Sequence, residues 1–296
     1  MNIEKNFSKF LNRKINYVDI GAAGGLPKIL YDFRKSLYTI GFEPFLNSYN
    51  KLISNQESYF FNIGLSNSKG ERTLYVTENP FQSSFYPPSN KLKKFNNEHY
   101  KTRKITSKIK VKVNRLDNVF KEIKSLELDI VKIDTQGSEL DILKGAIKTL
   151  QKFYPVLLIE TWTVDVYENA PKLNEILNFL EKINYEIWDL EKAAAWHHAD
   201  SSPSSKPILI GLNLLCGPKN IKNRKIWSVS QASIIALFLW NSGYIGKAYE
   251  ICSTYKLTEL KNILLKLQYR KDLMSSPLRF LFKVITAVRK SKVYLT

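Results

Sequence analysis

Ile15-Asn16-Tyr17-Val18-Asp19-Ile20-Gly21-Ala22-Ala23-Gly24-Gly25 is the stretch that decides the fold. Its first six residues read as a buried β-strand, because an apolar run closes on glycines. The glycines make a turn, and Pro27 to Lys35 reads as the helix after it. A second strand, Tyr38 to Phe42, stops at Glu43-Pro44, since proline has no N–H to give a ladder. Strand, glycine turn, helix and strand open a doubly wound α/β sheet.

Outward from this unit the βα rhythm continues. Phe45 to Ser54 fits a helix and Tyr59 to Gly64 a third strand. Residues 66–116 interrupt the rhythm: two strand-like runs, Arg72 to Thr77 and Ser107 to Val113, flank an aromatic, proline-rich loop from Asn79 to Pro88. Leu128 to Ile133 is then a fourth strand. Ser138 to Leu150 is a helix with Leu140, Leu143, Ile147 and Leu150 on one stripe. Val156 to Glu160 is a fifth strand, Leu173 to Ile183 a helix, and Tyr185 to Leu190 and Ile208 to Leu215 the last two strands. The expected architecture is a mostly parallel seven-stranded sheet with right-handed crossovers. Gly217-Pro218 marks the expected boundary between a domain at 1–216 and a helical extension at 217–296, with helices at 228–242, 244–254, 257–270 and 277–290.

Hydrophobic residues make up 44% of the 296, enough to bury a large core. The net charge of +18 raises a nucleic-acid or membrane partner. Only nine of the 45 basic residues are Arg, however, and the lysines come with much Asn and Ile, the mixture of an AT-rich coding sequence. The charge is therefore read first as compositional, and nucleic acid is not the expected partner. Cys216 and Cys252 form no CxxC pair and no disulfide framework, which points to a reduced, cytoplasmic setting. The amino terminus has no apolar signal region, and the longest apolar run, Ala232 to Trp240, is far short of the ~18 residues of a membrane span. Leu278 to Lys292 is apolar and basic. Such a helix either lies on an anionic inner membrane surface or docks on the helices before it.

The turn Asp19-x-Gly21-x-x-Gly24-Gly25 brings free backbone N–H groups close to a ligand. Glu43 stands 22 residues past Gly21 at the second strand's end, where an acid accepts hydrogen bonds from ribose hydroxyls. The Gly-x-Gly-x-x-Gly pattern of NAD sites is missing, because Ala23 occupies its second glycine position. Asp19 would also repel a pyrophosphate, whereas it suits the sulfonium and amino group of S-adenosylmethionine. That cofactor is the expected one.

The chain resembles the FkbM family of methyltransferases. The residues that carry the resemblance are Val18-Asp19-Ile20-Gly21-Ala22, Phe42-Glu43-Pro44, Asn62-Ile63-Gly64-Leu65-Ser66, Arg115-Leu116-Asp117, Val131-Lys132-Ile133-Asp134-Thr135-Gln136-Gly137-Ser138-Glu139, Leu143-Lys144-Gly145-Ala146 and Leu158-Ile159-Glu160. The resemblance implies a class I methyltransferase fold, S-adenosylmethionine and O-methylation, often of sugars or secondary metabolites. It places Asp19, Gly21, Ala22, Gly24, Glu43 and Pro44 on the cofactor, with Leu65 and Ser66 near its adenine. Ala23 stands where the family often has Asn, which removes one side-chain hydrogen bond.

Methyl transfer to a hydroxyl needs a group that takes or holds its proton during in-line attack. Asp134, at the fourth strand's exit, is the expected catalytic carboxylate, with Lys132 on the same strand face and Glu160 beside it. A bare carboxylate is a weak base, so burial or a neighbouring acid, Glu139 or Glu160, is expected to raise Asp134. A capping role for Asp134 on the following helix is the alternative. His197-His198 offers another base, with no third zinc ligand near; Asp134 and Glu160 could also hold Mg²⁺, although no adjacent Asp-Asn pair accompanies them, and metal dependence is not legible. The loop Phe81 to Pro88 is expected over the acceptor, its aromatic faces suited to sugar rings. An RNA methyltransferase and a non-enzymatic interaction protein on the same fold are the rival readings. The exit sequence Asp134-Thr135-Gln136-Gly137 argues against adenine-N6 chemistry. The acceptor and the oligomeric state are not legible.

Overall fold

The computed structural model describes residues 10–275 except 96, 124–125, 203 and 222–225, and only the backbone of 97 and 271–275. The helix expected at 277–290 lies outside the described residues. Two compact units emerge, Met1–Gln231 and Ala232–Thr296.

The first unit is built on a seven-stranded sheet. Its strands are β1 (Ile15–Ile20), β2 (Leu37–Phe42), β3 (Ser58–Phe61), β7 (Ile130–Ile133), β8 (Val156–Trp162), β9 (Tyr185–Trp196) and β10 (Ile208–Pro218). The order is β3-β2-β1-β7-β8-β10-β9. The first five run parallel, and β10 is antiparallel to both β8 and β9. This is the expected class I methyltransferase arrangement. All six residues of β1 are buried, as a central parallel strand covered on both faces requires. A second sheet orders β4 (Gly64–Leu65), β6 (Ile105–Asn114) and β5 (Gly70–Thr77). The two strand-like runs inside 66–116 are therefore partners, antiparallel to each other.

Several expected elements differ for local reasons. The segment after the glycine turn is a 3-10 helix, Lys28–Phe33, whose buried residues Leu30 and Phe33 are three apart, the period of that helix. The helix expected from Phe45 is one turn, Leu46–Tyr49; Leu46 and Ile53 are exposed, so no apolar stripe supports more. The third strand breaks at Asn62, whose side-chain amide donates to the carbonyls of Glu43 and Pro44 (2.9 and 3.2 Å), and Gly64–Leu65 crosses to the second sheet. The long helix after β7 is two, Glu139–Lys144 and Ile147–Phe153. At the break, a Cβ on Gly145 would stand 2.0 Å from the Ser66 carbonyl oxygen. Asp117 then caps the second helix, accepting from Thr149 N (2.8 Å) and Thr149 Oγ1 (2.9 Å).

One buried ion pair ties the entry of β1 to the entry of β7. Asp129 is fully buried and accepts from Arg13 at 2.6 and 2.8 Å and from Asn16 N at 2.8 Å. In the second unit, residues 232–240 are buried on every side of their helix, and Ile245–Thr254 and Thr258–Ser275 follow. Among the described residues no helix is long and apolar enough to cross a membrane.

Candidate functional site

The chain runs from β1 through β2 to β3 on one side and returns to β7 on the other side of β1. That reversal opens a crevice at the strands' carboxyl ends. A cleft of about 710 Å³, partly open to solvent, lies there. Its floor is Gly21 and Gly24 of the turn, Glu43 and Pro44 beyond β2, and Asp134 beyond β7. Its roof is the segment after β5, including Phe81, Ser83, Ser84 and Phe85.

The glycine turn owes its shape to close approach. Gly21 sits at φ +83°, and a Cβ on it would stand 2.0 Å from the Asp134 carbonyl oxygen. Its N–H donates to Phe42 O at 3.0 Å, drawing the turn against the end of β2. A Cβ on Gly24, by contrast, would meet no heavy atom within 4 Å, and this exposed glycine lines the cleft.

Glu43 is 6% exposed and faces the cleft. Its Oε1 accepts from Phe45 N at 2.9 Å and its Oε2 from Ala23 N at 3.3 Å, so one carboxylate bridges the turn and the β2 exit. Burial pushes its pKa up, against the pull of those two amides. Each oxygen keeps a lone pair for a further donor.

Asp19 and Lys132 are directly paired across β1 and β7. Lys132 Nζ donates to Asp19 Oδ1 at 3.0 Å and to Gly21 O at 3.2 Å, and lies 3.7 Å from Asp134 Oδ2. Burial pulls the pKa of the ammonium down, but Asp19, Asp134 and Glu160 outweigh it and raise that pKa. Lys132 is thus a fixed cation behind the floor. Asp19, Ala22 and Ser66 are also buried behind the lining, with Ser66 Oγ accepting from Arg72 at 3.2 Å, while Leu65 reaches the cleft.

Asp134 faces the cleft with its side chain a third exposed. Burial pushes its carboxyl up, but Lys132 and hydrogen bonds from Glu160 and Gln136 outweigh it and hold the carboxyl below the ordinary range. The expectation of a raised Asp134 is corrected here: the raised acid is its neighbour. Burial, then the Asp134 charge, pushes Glu160 up to about 9. At neutral pH the two acids hold one proton between them. Capping by Asp134 is absent too. The helix starts at Glu139, whose Oε1 accepts from Thr135 N (2.9 Å), Thr135 Oγ1 (3.1 Å) and Gly137 N (3.0 Å).

Other candidates lie apart from the cleft lining. His197 is exposed, 3.4 Å from Ser205 Oγ, and His198 packs its ring on Phe95. His99 stacks on Trp196, with ring centroids 4.2 Å apart. Among the described residues no three His, Cys, Asp or Glu side chains are grouped to hold a metal ion. Ser84 lies in the loop expected over the acceptor, whereas neither Gln136 nor Tyr167 was expected to take part. Gln136 Nε2 donates to Asp134 Oδ1 (3.0 Å) and Glu160 Oε2 (2.6 Å), and the Tyr167 hydroxyl lies 2.9 Å from Gln136 Oε1. The only sequence signal for Gln136 was its place in the Lys132 to Glu139 motif.

Two solved structures share weak overall similarity. The FkbM methyltransferase of Methylobacillus flagellatus KT is 18% identical, over 68% of this chain and 43% of that one, with a TM-score of 0.38. The precorrin-6y C5,15-methyltransferase of Geobacter metallireducens GS-15 is 14% identical, over 73% and 86%, with a TM-score of 0.35. This chain therefore spans less than half the length of the first. No curated protein matches it. The methyltransferase FkbM domain model matches residues 19–187, more than half of the chain, and the protein belongs to the FkbM methyltransferase family.

Proposed function

We propose that this chain transfers a methyl group from S-adenosylmethionine to a hydroxyl of a sugar, glycan or secondary metabolite. The observation that carries the reading is the meeting of Glu43 and the glycine turn on one side of the cleft with Asp134 on the other. The residues present fit the cofactor. Glu43 offers two acceptor oxygens for ribose hydroxyls, Gly24 leaves free space beside the turn, and Asp19, Glu43 and Asp134 outnumber the single ammonium of Lys132. A cation is favoured in such a field and a pyrophosphate is not.

When bound, the cofactor supplies an electrophilic methyl on a positive sulfur. Asp134 holds the acceptor hydroxyl and takes its proton as attack proceeds. Its basicity is damped while Glu160 keeps the shared proton, and rises once that proton leaves near pH 9. Lys132 fixes the Asp134 carboxylate in place. Phe81, 61% exposed on the roof, and the Ser83 hydroxyl suit an uncharged polyol ring more than an anionic acceptor.

Calorimetry with S-adenosylmethionine tests the donor. Binding by the wild type, weakened roughly tenfold or more in Glu43→Ala, supports the reading, since a hydrogen bond to a charged group is worth about 1.5–3 kcal/mol. Equal affinity in both proteins would remove Glu43 from the role. Labelled donor offered with pools of sugars, lipid-linked glycans and RNA then identifies the acceptor.

A further inference from the structure

Gln136 occupies an unusual place in the cleft. Its backbone lies at φ +59°, a left-handed conformation that costs a non-glycine residue energy unless its surroundings hold it. Four interactions do so. Nε2 spends both hydrogens on Asp134 and Glu160, Oε1 faces the Tyr167 hydroxyl, and the backbone carbonyl accepts from Ser84 Oγ at 2.7 Å. The Tyr167 hydroxyl also lies 2.9 Å from the Gln82 carbonyl oxygen. Gln82 and Ser84 belong to the roof segment; Asp134 belongs to the floor, and Glu160 stands beside it on β8. The amide can point only one way, because its nitrogen side meets two carboxyl groups and its oxygen side a hydroxyl.

We propose that Gln136 is a positioning residue that couples the seating of the roof to the arrangement of the Asp134–Glu160 pair. The proposal rests on the methyl-transfer reading only for its consequence, which is that the acceptor-holding carboxylate is set when the roof is down. With the roof seated, Tyr167 and Ser84 hold Gln136 in its strained conformation and its amide donates to both acids. With the roof lifted, the Ser84 tie is lost, the strain relaxes and both donors leave the pair. The other titratable groups around the pair are Tyr17 and Asp19 on β1, Lys132 on β7, Glu139 on the helix after it and Tyr167 after β8, with Arg103 acting on Tyr167.

The test uses the whole protein without a methyl donor, so its failure is separate from a failure of donor binding, which calorimetry reads. Hydrogen exchange is followed at the Tyr75 and Ser84 amides, which bond to each other's carbonyls (2.9 and 3.3 Å), and the Glu160 carboxyl is titrated by carbon-13 NMR. Gln136→Glu keeps the shape and loses both donors. Gln136→Met keeps the length without polar ends and stands in if a third carboxyl costs the fold. Ser84→Ala cuts the tie to the Gln136 carbonyl, together with the acceptor that Ser84 Oγ offers Tyr86 N inside the roof (3.0 Å), and leaves the Gln136 amide intact. Expected are exchange faster by roughly tenfold or more and a higher Glu160 midpoint in the Gln136 variants, with both changes also present in Ser84→Ala. Exchange within about twofold of wild type in the Gln136 variants would overturn the proposal. So would a Ser84→Ala protein whose roof opens while Glu160 titrates unchanged.

Discussion

Glu139→Gln should make this protein less sensitive to alkaline pH. Glu139 is 1% exposed at the start of the helix after β7, and burial pushes its carboxyl from 4.5 up to about 7, against the pull of the Gly137 and Thr135 amides. In the unfolded chain the group ionises near 4.5; in the folded chain it keeps its proton to about 7. Between those values the native state binds more protons, so stability falls as pH rises and the loss is complete above 7. A separation of roughly 2.5 pH units at about 1.4 kcal/mol each is about 3.5 kcal/mol, part of which is already lost by pH 5. Gln supplies the same acceptor oxygen to Thr135 and Gly137 and does not titrate. Urea unfolding of both proteins should give similar stability near pH 5. The variant should gain 2–3 kcal/mol, roughly, on the wild type by pH 8. A stability difference that stays constant from pH 5 to 8 would refute the account of this buried acid.

Three further substitutions test other parts. Gly145→Ala should destabilise by about 1–3 kcal/mol in denaturant unfolding, because its Cβ meets the Ser66 carbonyl at 2.0 Å; an unchanged midpoint contradicts the packing described. Asp129→Ala should cost about 3 kcal/mol by the same assay, since it strips Arg13 and the Asn16 amide of their buried acceptor; a loss under about 1 kcal/mol would make the pair ornamental. The wild-type methyl-transfer rate should climb with pH toward about 9 as the shared proton leaves, and Glu160→Gln should flatten that rise. A wild-type profile already flat from pH 7 to 9 would separate Glu160 from the proton chemistry.

The parts of the fold legible in the sequence were those governed by burial along one strand. β1 is buried throughout because it lies at the centre of a parallel sheet, and Glu43, the acid just beyond β2, lines the cleft. What escaped depends on partners distant in the chain. The well-patterned helix is interrupted at Gly145, where the Ser66 carbonyl lies too close for a Cβ. Asp19 is taken up by Lys132 because register sets them side by side on neighbouring strands. Gln136 has a role only because β8 brings Glu160, and the segment after it Tyr167, to its two ends. The same physics inverted one expectation: Lys132 claims the Asp134 charge, so the proton settles on Glu160.

The central claim is that the acid beyond β2 holds the sugar of the methyl donor. A crystal grown with S-adenosylhomocysteine measures this most directly. The account requires density between Gly24 and the roof, with both ribose hydroxyls on the Glu43 carboxylate and the sulfur turned toward Asp134. The same ligand bound elsewhere, or in this cleft with Glu43 touching only Ala23 and Phe45, would contradict it.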